Sequence, residues 1–159
     1  MCEDRTSTNT GMLLQPDSQP DDTARLVIAI NKVLDPGRAL NVACHLVAGI
    51  TNLVGEDGQN RLKFLEFRDA DGGLHQSISA RSFIVLRATQ GELRKLRLQA
   101  REANVPYVDF TQTMTGGTYI DQLERTSRTS DEELEYFGVA LFGLKADTEG
   151  FTRRLSLWR

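Results

Sequence analysis

Polar residues interrupt an otherwise apolar stretch, residues 38–54, at a spacing that places them on one side of a helix. At the helical rotation of about 100° per residue, four of them share a face: Arg38, Asn41, His45 and Asn52. An Asp-Pro break precedes the stretch, so the helix begins near Arg38, where free backbone amides favour an anion. Arginine binds phosphate or carboxylate in a fork and keeps its proton near neutrality. The pattern predicts an anion-binding residue at the mouth of a cleft, with Asn41 and His45 along its wall.

Two interpretations of this polar face stay open. In the functional one, Gly37 lets a ligand approach the backbone beside Arg38, because glycine carries no side chain. In the structural one, Asn41 bonds a neighbouring loop, His45 bonds a backbone carbonyl, and Asn52 is solvated. Cys44 in the same helix is expected to be a small buried apolar residue rather than a nucleophile.

Asp109 is a second candidate for chemistry, because it lies in a short apolar stretch, residues 105–110, that predicts a β-strand. Open α/β sheets place their ligand crevices at the ends of strands. A carboxylate at that point either carries a proton or caps the following turn through an amide of Thr111 or Gln112.

Two charged segments are candidates for contacts with macromolecules. Basic residues on one predicted helix could meet nucleic-acid phosphates: Arg94, Lys95, Arg97 and Arg101. No aromatic residues interleave them, and Glu92 and Glu102 balance their charge, so a solvated helix face is favoured over a base-stacking platform. The acidic segment at residues 129–135 is either a docking site or a solvated turn in which Ser130 and Glu133 form a capping box.

Several common kinds of site are missing from the sequence. The chain has only two histidines, and the spacing of His75 from Asp69 and Asp71 is no metal signature. There is also no Gly-x-Ser-x-Gly elbow and no phosphate-binding glycine loop. We therefore expect neither a metal nor a cofactor.

Size and composition bound the class of protein. A chain of 159 residues with a formal charge of -3 and a pI near 5.4 suits one domain and argues against a general nucleic-acid coat. Cys2 and Cys44 are unsuited to a mutual disulfide, so a reducing compartment is expected. No apolar run approaches the roughly 20 residues that span a bilayer, and the first residues lack the order of a signal peptide. We expect a cytoplasmic protein with no membrane partner.

The order of predicted elements indicates an α/β fold. Residues 1–23 are polar with two prolines and predict a disordered N-terminal tail, which leaves residues 24–159 as a single domain. Apolar runs predict strands at residues 26–30, 82–88, 105–110, 136–144 and 155–158. Helices are predicted at residues 38–54, from a Thr89–Glu92 capping box to about residue 104, and briefly around residues 119–125. A hairpin at residues 61–80 turns at Asp71-Gly72-Gly73. We predict a mixed β-sheet of four to six strands with helices packed on both faces.

Three stretches in this order resemble type II peptidyl-tRNA hydrolases. The opening strand, the Gly37-Arg38 pair and His45 resemble that family's first strand and helix, where a glycine-lysine pair opens the helix. ELRKLRLQAREANVPYVDFTQT resembles its second helix and a strand end carrying Asp-x-x-x-Thr, here Asp109 and Thr113. YFGVALFGLKADTEGFTRRLSLW resembles its closing strand, short helix and tail. The resemblance implies the hydrolase fold over about residues 25–159, apart from an insertion near residues 114–134.

The chain is also similar to bacterial proteins grouped under domain of unknown function 2000, a family that implies this fold without a reaction. The similarity rests on Leu40-Asn41-Val42-Ala43, Asp109-Phe110, Met114 and the GVALFG stretch. The set of catalytic residues that the hydrolase resemblance implies is incomplete in this chain. Arg38 stands where the family has a lysine and cannot act as a base. Val42 stands where the family has a glutamine. A positioned acid or base is worth about 10²–10⁴ in rate, so these departures weaken the expectation of turnover.

Three functions are consistent with these residues. In the first, a cleft binds a small or phosphate-bearing ligand through Gly37, Arg38 and Asn41. In the second, the protein hydrolyses peptidyl-tRNA or a related ester, with His45, Asp109 and Thr113 as candidate catalytic residues and Arg38 on the oxyanion; tRNA is not the favoured partner. In the third, the protein is a self-associating module, and exposed strand edges pair to form a homodimer. Both the binding function and the hydrolase function require that Arg38 and Asp109 lie on opposite sides of one cleft.

Overall fold

A computed structural model describes residues 24–159, so the predicted disordered tail, residues 1–23, lies outside the described residues. The strands are β1 (Ala24–Asn31), β2 (Phe64–Arg68), β3 (Leu74–Ser79), β4 (Phe83–Ala88), β5 (Tyr107–Thr111), β6 (Tyr136–Leu144) and β7 (Ser156–Leu157). The helices are α1 (Pro36–Leu53), α2 (Gly55–Arg61), α3 (Gln90–Glu102), α4 (Tyr119–Ser127) and α5 (Lys145–Thr152). Within the described range, no helix combines the length and apolar character needed to cross a membrane.

Five strands form one mixed sheet in the order β5-β6-β1-β4-β7, while β2 and β3 pair with each other in a separate ribbon. β1 runs parallel to β4 and antiparallel to β6. Its central position follows from its sequence, because a strand covered on both faces is apolar at consecutive positions. All of its residues from Leu26 to Asn31 are buried. The predicted mixed α/β architecture is confirmed.

The sheet separates two apolar cores, one on each face. α1 covers the first core, where Val42 and Leu46 pack in a cluster with Ile28 of β1. α3 covers the second core, where Leu93 joins a cluster with Val27 of β1. Successive side chains of a strand point to opposite faces. A strand residue therefore joins the core on the α1 side or on the α3 side according to its place in this alternation.

α1 crosses β6 at a glycine. A Cβ built on Gly138 would lie 2.7 Å from Leu46 Cδ1, 2.9 Å from Val42 Cγ1 and 3.0 Å from the carbonyl oxygen of Ala29. Contacts that short force the helix or strand to move, so the missing side chain lets α1 pack directly on the sheet. This close crossing holds the middle of α1 over the start of β6.

β2 and β3 form the predicted hairpin. Gly72 in its turn has φ +84°, the left-handed region that favours glycine. The Asp69 carboxylate accepts the amides of Asp71 and Gly73 at 3.0 and 2.7 Å. The hairpin carries four large apolar side chains that are about half exposed: Phe64, Phe67, Leu74 and Ile78.

Candidate functional site

The polar face of α1 begins at a capped helix end. Asp35 is the N-cap residue, and its carboxylate accepts the amide N–H of Arg38 at 3.1 Å. Pro36 stands in the first turn, where its missing N–H costs no hydrogen bond. One of the backbone amides at the helix start, that of Arg38, is therefore already occupied by an acidic side chain of the chain itself.

Arg38, Asn41 and His45 lie together on the exposed surface of α1, as their spacing predicts. Among residues 24–159, none of the three side chains makes a hydrogen bond or an ion pair. The structural interpretation, in which Asn41 bonds a loop and His45 a carbonyl, is therefore wrong for this part of the chain. Asn52 is exposed near the end of the helix, as that interpretation had it.

Two buried aromatic rings support this face from below. The guanidinium carbon of Arg38 lies 4.8 Å from the ring centroid of Phe137, a cation–π distance. The ring of His45 lies 5.2 Å from that of Phe110, inclined by 30°. The sequence pattern did not place Phe110 or Phe137 beside this face, although each lies near the end of a predicted strand. The rings hold the two side chains against the sheet and leave their polar edges in solvent.

Asp109 lies on the other face of the sheet. Its carboxylate accepts a hydrogen bond from Nε of Arg97 on α3 at 2.6 Å, and both side chains are about four-fifths buried. Burial opposes the charge of Arg97, but the hydrogen bond and the negative charge of Asp109 outweigh it and raise the pKa of the guanidinium. Asp109 therefore has a partner within the domain.

The expectation that Arg38 and Asp109 face each other across one cleft is wrong. Asp109 pairs with Val139 of β6, which belongs to the core under α3, whereas its neighbour Phe110 belongs to the core under α1. Arg38 lies against Phe137, on the α1 side. Adjacent strand residues point to opposite faces, so the sheet itself separates the two charged groups.

The Arg97–Asp109 pair continues into a network around Tyr136. Arg97 also donates to Asp131 at 3.2 Å, and the hydroxyl of Tyr136 donates to the same carboxylate oxygen at 3.0 Å. Tyr136 is fully buried, and burial together with the bond to Asp131 raises its pKa to about 12. Arg94 and Arg97 both lie over the Tyr136 ring, at 5.2 and 5.7 Å. This network joins α3, β5 and β6.

The acidic segment docks on the basic helix face of the same chain. Arg94 donates to the carbonyls of Asp131, Glu132 and Leu134 at 2.6, 3.2 and 2.9 Å, and to the Asp131 carboxylate at 3.2 Å. The two charged segments thus satisfy each other, and two of the four basic residues are no longer free for phosphates. The Ser130–Glu133 contact forms as predicted, with both hydroxyl and amide of Ser130 donating to the carboxylate.

Thr113 is buried in a short chain of hydroxyl groups. Its Oγ1 lies 2.8 Å from that of Thr111 and 2.9 Å from that of Thr126 on α4. Its carbonyl accepts Nε of Arg125 at 3.2 Å. These bonds fasten the 3₁₀ turn Gln112–Met114 to α4, so the Thr113 side chain is engaged in the packing of the domain.

Two further residues of α1 bear on the chemistry of the site. Cys44 is exposed on α1, so the expectation that it is buried is wrong. Gly37 lies in the first turn of α1 and is exposed, beside the Asp35 cap. Within residues 24–159 there is no group of three or more His, Cys, Asp or Glu side chains placed to hold a metal ion.

Comparisons with known proteins identify a family and a fold. The family described as "Protein of unknown function (DUF2000)" matches residues 24–159. Among solved structures, that of Atu0240, a protein of unknown function from Agrobacterium tumefaciens strain C58, superposes with a TM-score of 0.74 at 19% identity. The match covers 86% of this chain and 98% of that one. A search of curated proteins gives no match.

Proposed function

We propose, for a chain that belongs to the DUF2000 family of proteins of unknown function, that it binds a small anionic ligand on α1 through Arg38, Asn41 and His45. We call these three residues the α1 polar face. One observation carries the proposal: among residues 24–159, three adjacent, exposed polar side chains make no hydrogen bond and no ion pair. Two of them rest on buried aromatic rings.

The chemistry of the α1 polar face suits a carboxylate or a phosphate-bearing compound. Residues three and four apart on a helix are neighbours, with Cβ atoms roughly 5–6 Å apart, so all three side chains can reach one ligand. One face of the planar Arg38 guanidinium lies over the Phe137 ring. Its edge, which carries the N–H groups, is free to donate two parallel hydrogen bonds to a ligand. Asn41 and His45 add further hydrogen-bond donors beside it.

The test is a titration of the isotope-labelled protein with inorganic phosphate and with acetate, followed by amide shifts in NMR spectra. We expect shifts centred on residues 37–45, and a loss of about tenfold in affinity, or roughly 1.4 kcal/mol, in Arg38→Ala. Arg101→Ala is the matched control, since Arg101 is an exposed arginine of α3. Shifts that avoid residues 37–45, or that persist in Arg38→Ala, would refute the proposal.

Hydrolysis of peptidyl-tRNA or a related ester has less support than binding. Two of the three candidate catalytic residues, Asp109 and Thr113, are bonded to Arg97 and to other threonines. tRNA is not favoured as a partner, since Arg94 and Arg97 bind the segment at residues 129–135. Incubation with an N-acetylaminoacyl-tRNA tests this alternative. Release of the acyl group that disappears in Arg38→Ala would establish it.

Self-association is a third candidate, favoured by the hairpin. A two-stranded ribbon with half-exposed apolar side chains on both faces is marginally stable in water. β3, LHQSIS, contains none of the lysine, proline or acidic residues that protect an edge strand, so two copies can pair there without opposing like charges. Light scattering should give a dimer that Ile78→Asp dissociates. Val33→Asp, at an exposed apolar residue outside the hairpin, should leave the mass unchanged.

A further inference from the structure

A cleft of about 790 Å³ lies at the end of α1 remote from the α1 polar face. It is bounded by the last turn of α1, by α2, by the loop between α3 and β5, by the end of β6 and by α5. Leu53, which lines it, is about 22 Å along the helix from Arg38 at 1.5 Å per residue. Ligand pockets commonly have volumes of about 300–1,000 Å³, so the cleft is large enough for a small molecule.

Four polar side chains line the cleft: Asp57, Arg61, Asn104 and Asp147. All four are exposed, and none makes a side-chain hydrogen bond or an ion pair within residues 24–159. Asp57 and Arg61 stand four residues apart on α2, a spacing that often gives an ion pair, yet they form none here. Opposite charges that share a cleft without neutralising each other remain available to a ligand.

The position of Arg61 is set by an aromatic ring. Its guanidinium carbon lies 5.4 Å from the ring centroid of Phe142, a buried residue of β6. The contact uses one face of the guanidinium and leaves its donor edge free for a carboxylate. Val105, Pro106 and Phe151 add apolar wall. The cleft therefore combines the Arg61 cation, which packs on Phe142, with the carboxylates of Asp57 and Asp147 and an apolar lining.

We propose that this cleft binds a small zwitterion of the amino-acid type, with its carboxylate on Arg61 and its ammonium on Asp57 and Asp147. The charged lining has one positive and two negative groups, so a ligand with an additional ammonium, such as a basic amino acid, complements it best. Asn104 supplies an amide that can both donate and accept. This site is independent of the α1 polar face.

The test titrates the isotope-labelled chain with L-lysine, with cadaverine, which lacks the carboxylate, and with hexanoate, which lacks both ammonium groups. L-lysine should shift the amide signals of Arg61, Asn104 and Asp147 and leave residues 37–45 unchanged. It should bind at least about tenfold more tightly than either analogue. Absence of these shifts, or equal binding of L-lysine and cadaverine, overturns the proposal.

Two variants separate recognition from general surface binding. Arg61→Gln should abolish the preference for L-lysine over cadaverine, and Asp147→Asn should reduce the preference over hexanoate. Arg68→Gln is the matched control, because Arg68 is an exposed arginine on the hairpin. If Arg61→Gln keeps the preference, or if Arg68→Gln loses it as well, the carboxylate does not bind Arg61 and the assignment fails.

Discussion

The Asp109 carboxylate and the Arg97 guanidinium form a 2.6 Å hydrogen-bonded ion pair between β5 and α3, on the sheet face opposite the α1 polar face. The pair is mostly buried, and Arg97 extends it to Asp131 at 3.2 Å. Asp109, which the sequence presents as a candidate catalytic group, thus connects a strand to the helix that covers it. We therefore expect the ion pair of Asp109 with Arg97 to contribute measurably to the free energy of unfolding.

Asp109→Asn should lower the free energy of unfolding by about 2 kcal/mol, the usual worth of a hydrogen bond to a charged group. The neutral amide removes the charge that faces Arg97 and keeps the shape of the side chain. Urea denaturation measures the change. Asp71→Asn, at an exposed residue of the hairpin turn, is the control and should be close to neutral. An Asp109→Asn protein as stable as the wild type would contradict this role.

Tyr136 should make stability fall at high pH. Its pKa is raised from 10.0 to about 12, first by burial and then by its bond to Asp131. Between these values the unfolded tyrosine has lost its proton while the folded one retains it, so the free energy of unfolding decreases as pH rises. Below pH 10 the tyrosine is protonated in both states, so the stabilising contribution of Tyr136 is fully present there. Urea midpoints across this window should fall less steeply in Tyr136→Phe than in wild type; equal slopes would refute the prediction.

Gly138→Ala should destabilise the domain by about 1–3 kcal/mol, the usual cost of overpacking. The added methyl would meet Leu46 and Val42 of α1 and the backbone of Ala29 at 3.0 Å or less. Gly91→Ala is the control, since a Cβ on Gly91 in α3 has nothing within 4 Å. Thermal unfolding should separate the two, with Gly91→Ala unchanged or more stable because alanine favours helix.

Arg94→Ala should release the segment at residues 129–135. Arg94 donates to three carbonyls and one carboxylate of that segment, and alanine offers no donor in their place. Hydrogen exchange should accelerate at the amides of these residues and remain unchanged in α1. Lys95→Ala removes an exposed cation from the same helix and should leave the exchange unaffected. Full protection of the segment in Arg94→Ala would show that other contacts hold it.

Local patterns account for most of the elements of this fold. The Thr89–Glu92 capping box begins α3 as predicted, with the Glu92 carboxylate accepting the Thr89 amide at 2.7 Å. The apolar run at residues 136–144 is β6 itself, and the glycine-containing turn closes the predicted hairpin. Such features depend on residues a few positions apart, so the sequence contains them directly. The grouping of Arg38, Asn41 and His45 on one exposed helix face is of the same kind.

What the sequence by itself determined is most of the helices and strands, the family resemblance and the polar face of α1; it gave no indication of α2. The tertiary structure alone decided that β6 lies between β1 and β5, and hence that Asp109 faces α3 while Phe110 faces α1. It also paired Arg97 with Asp131, 34 residues further along the chain. Alternation along a strand tells which residues share a face. Which helix covers that face depends on packing between distant segments, and no local pattern contains that information.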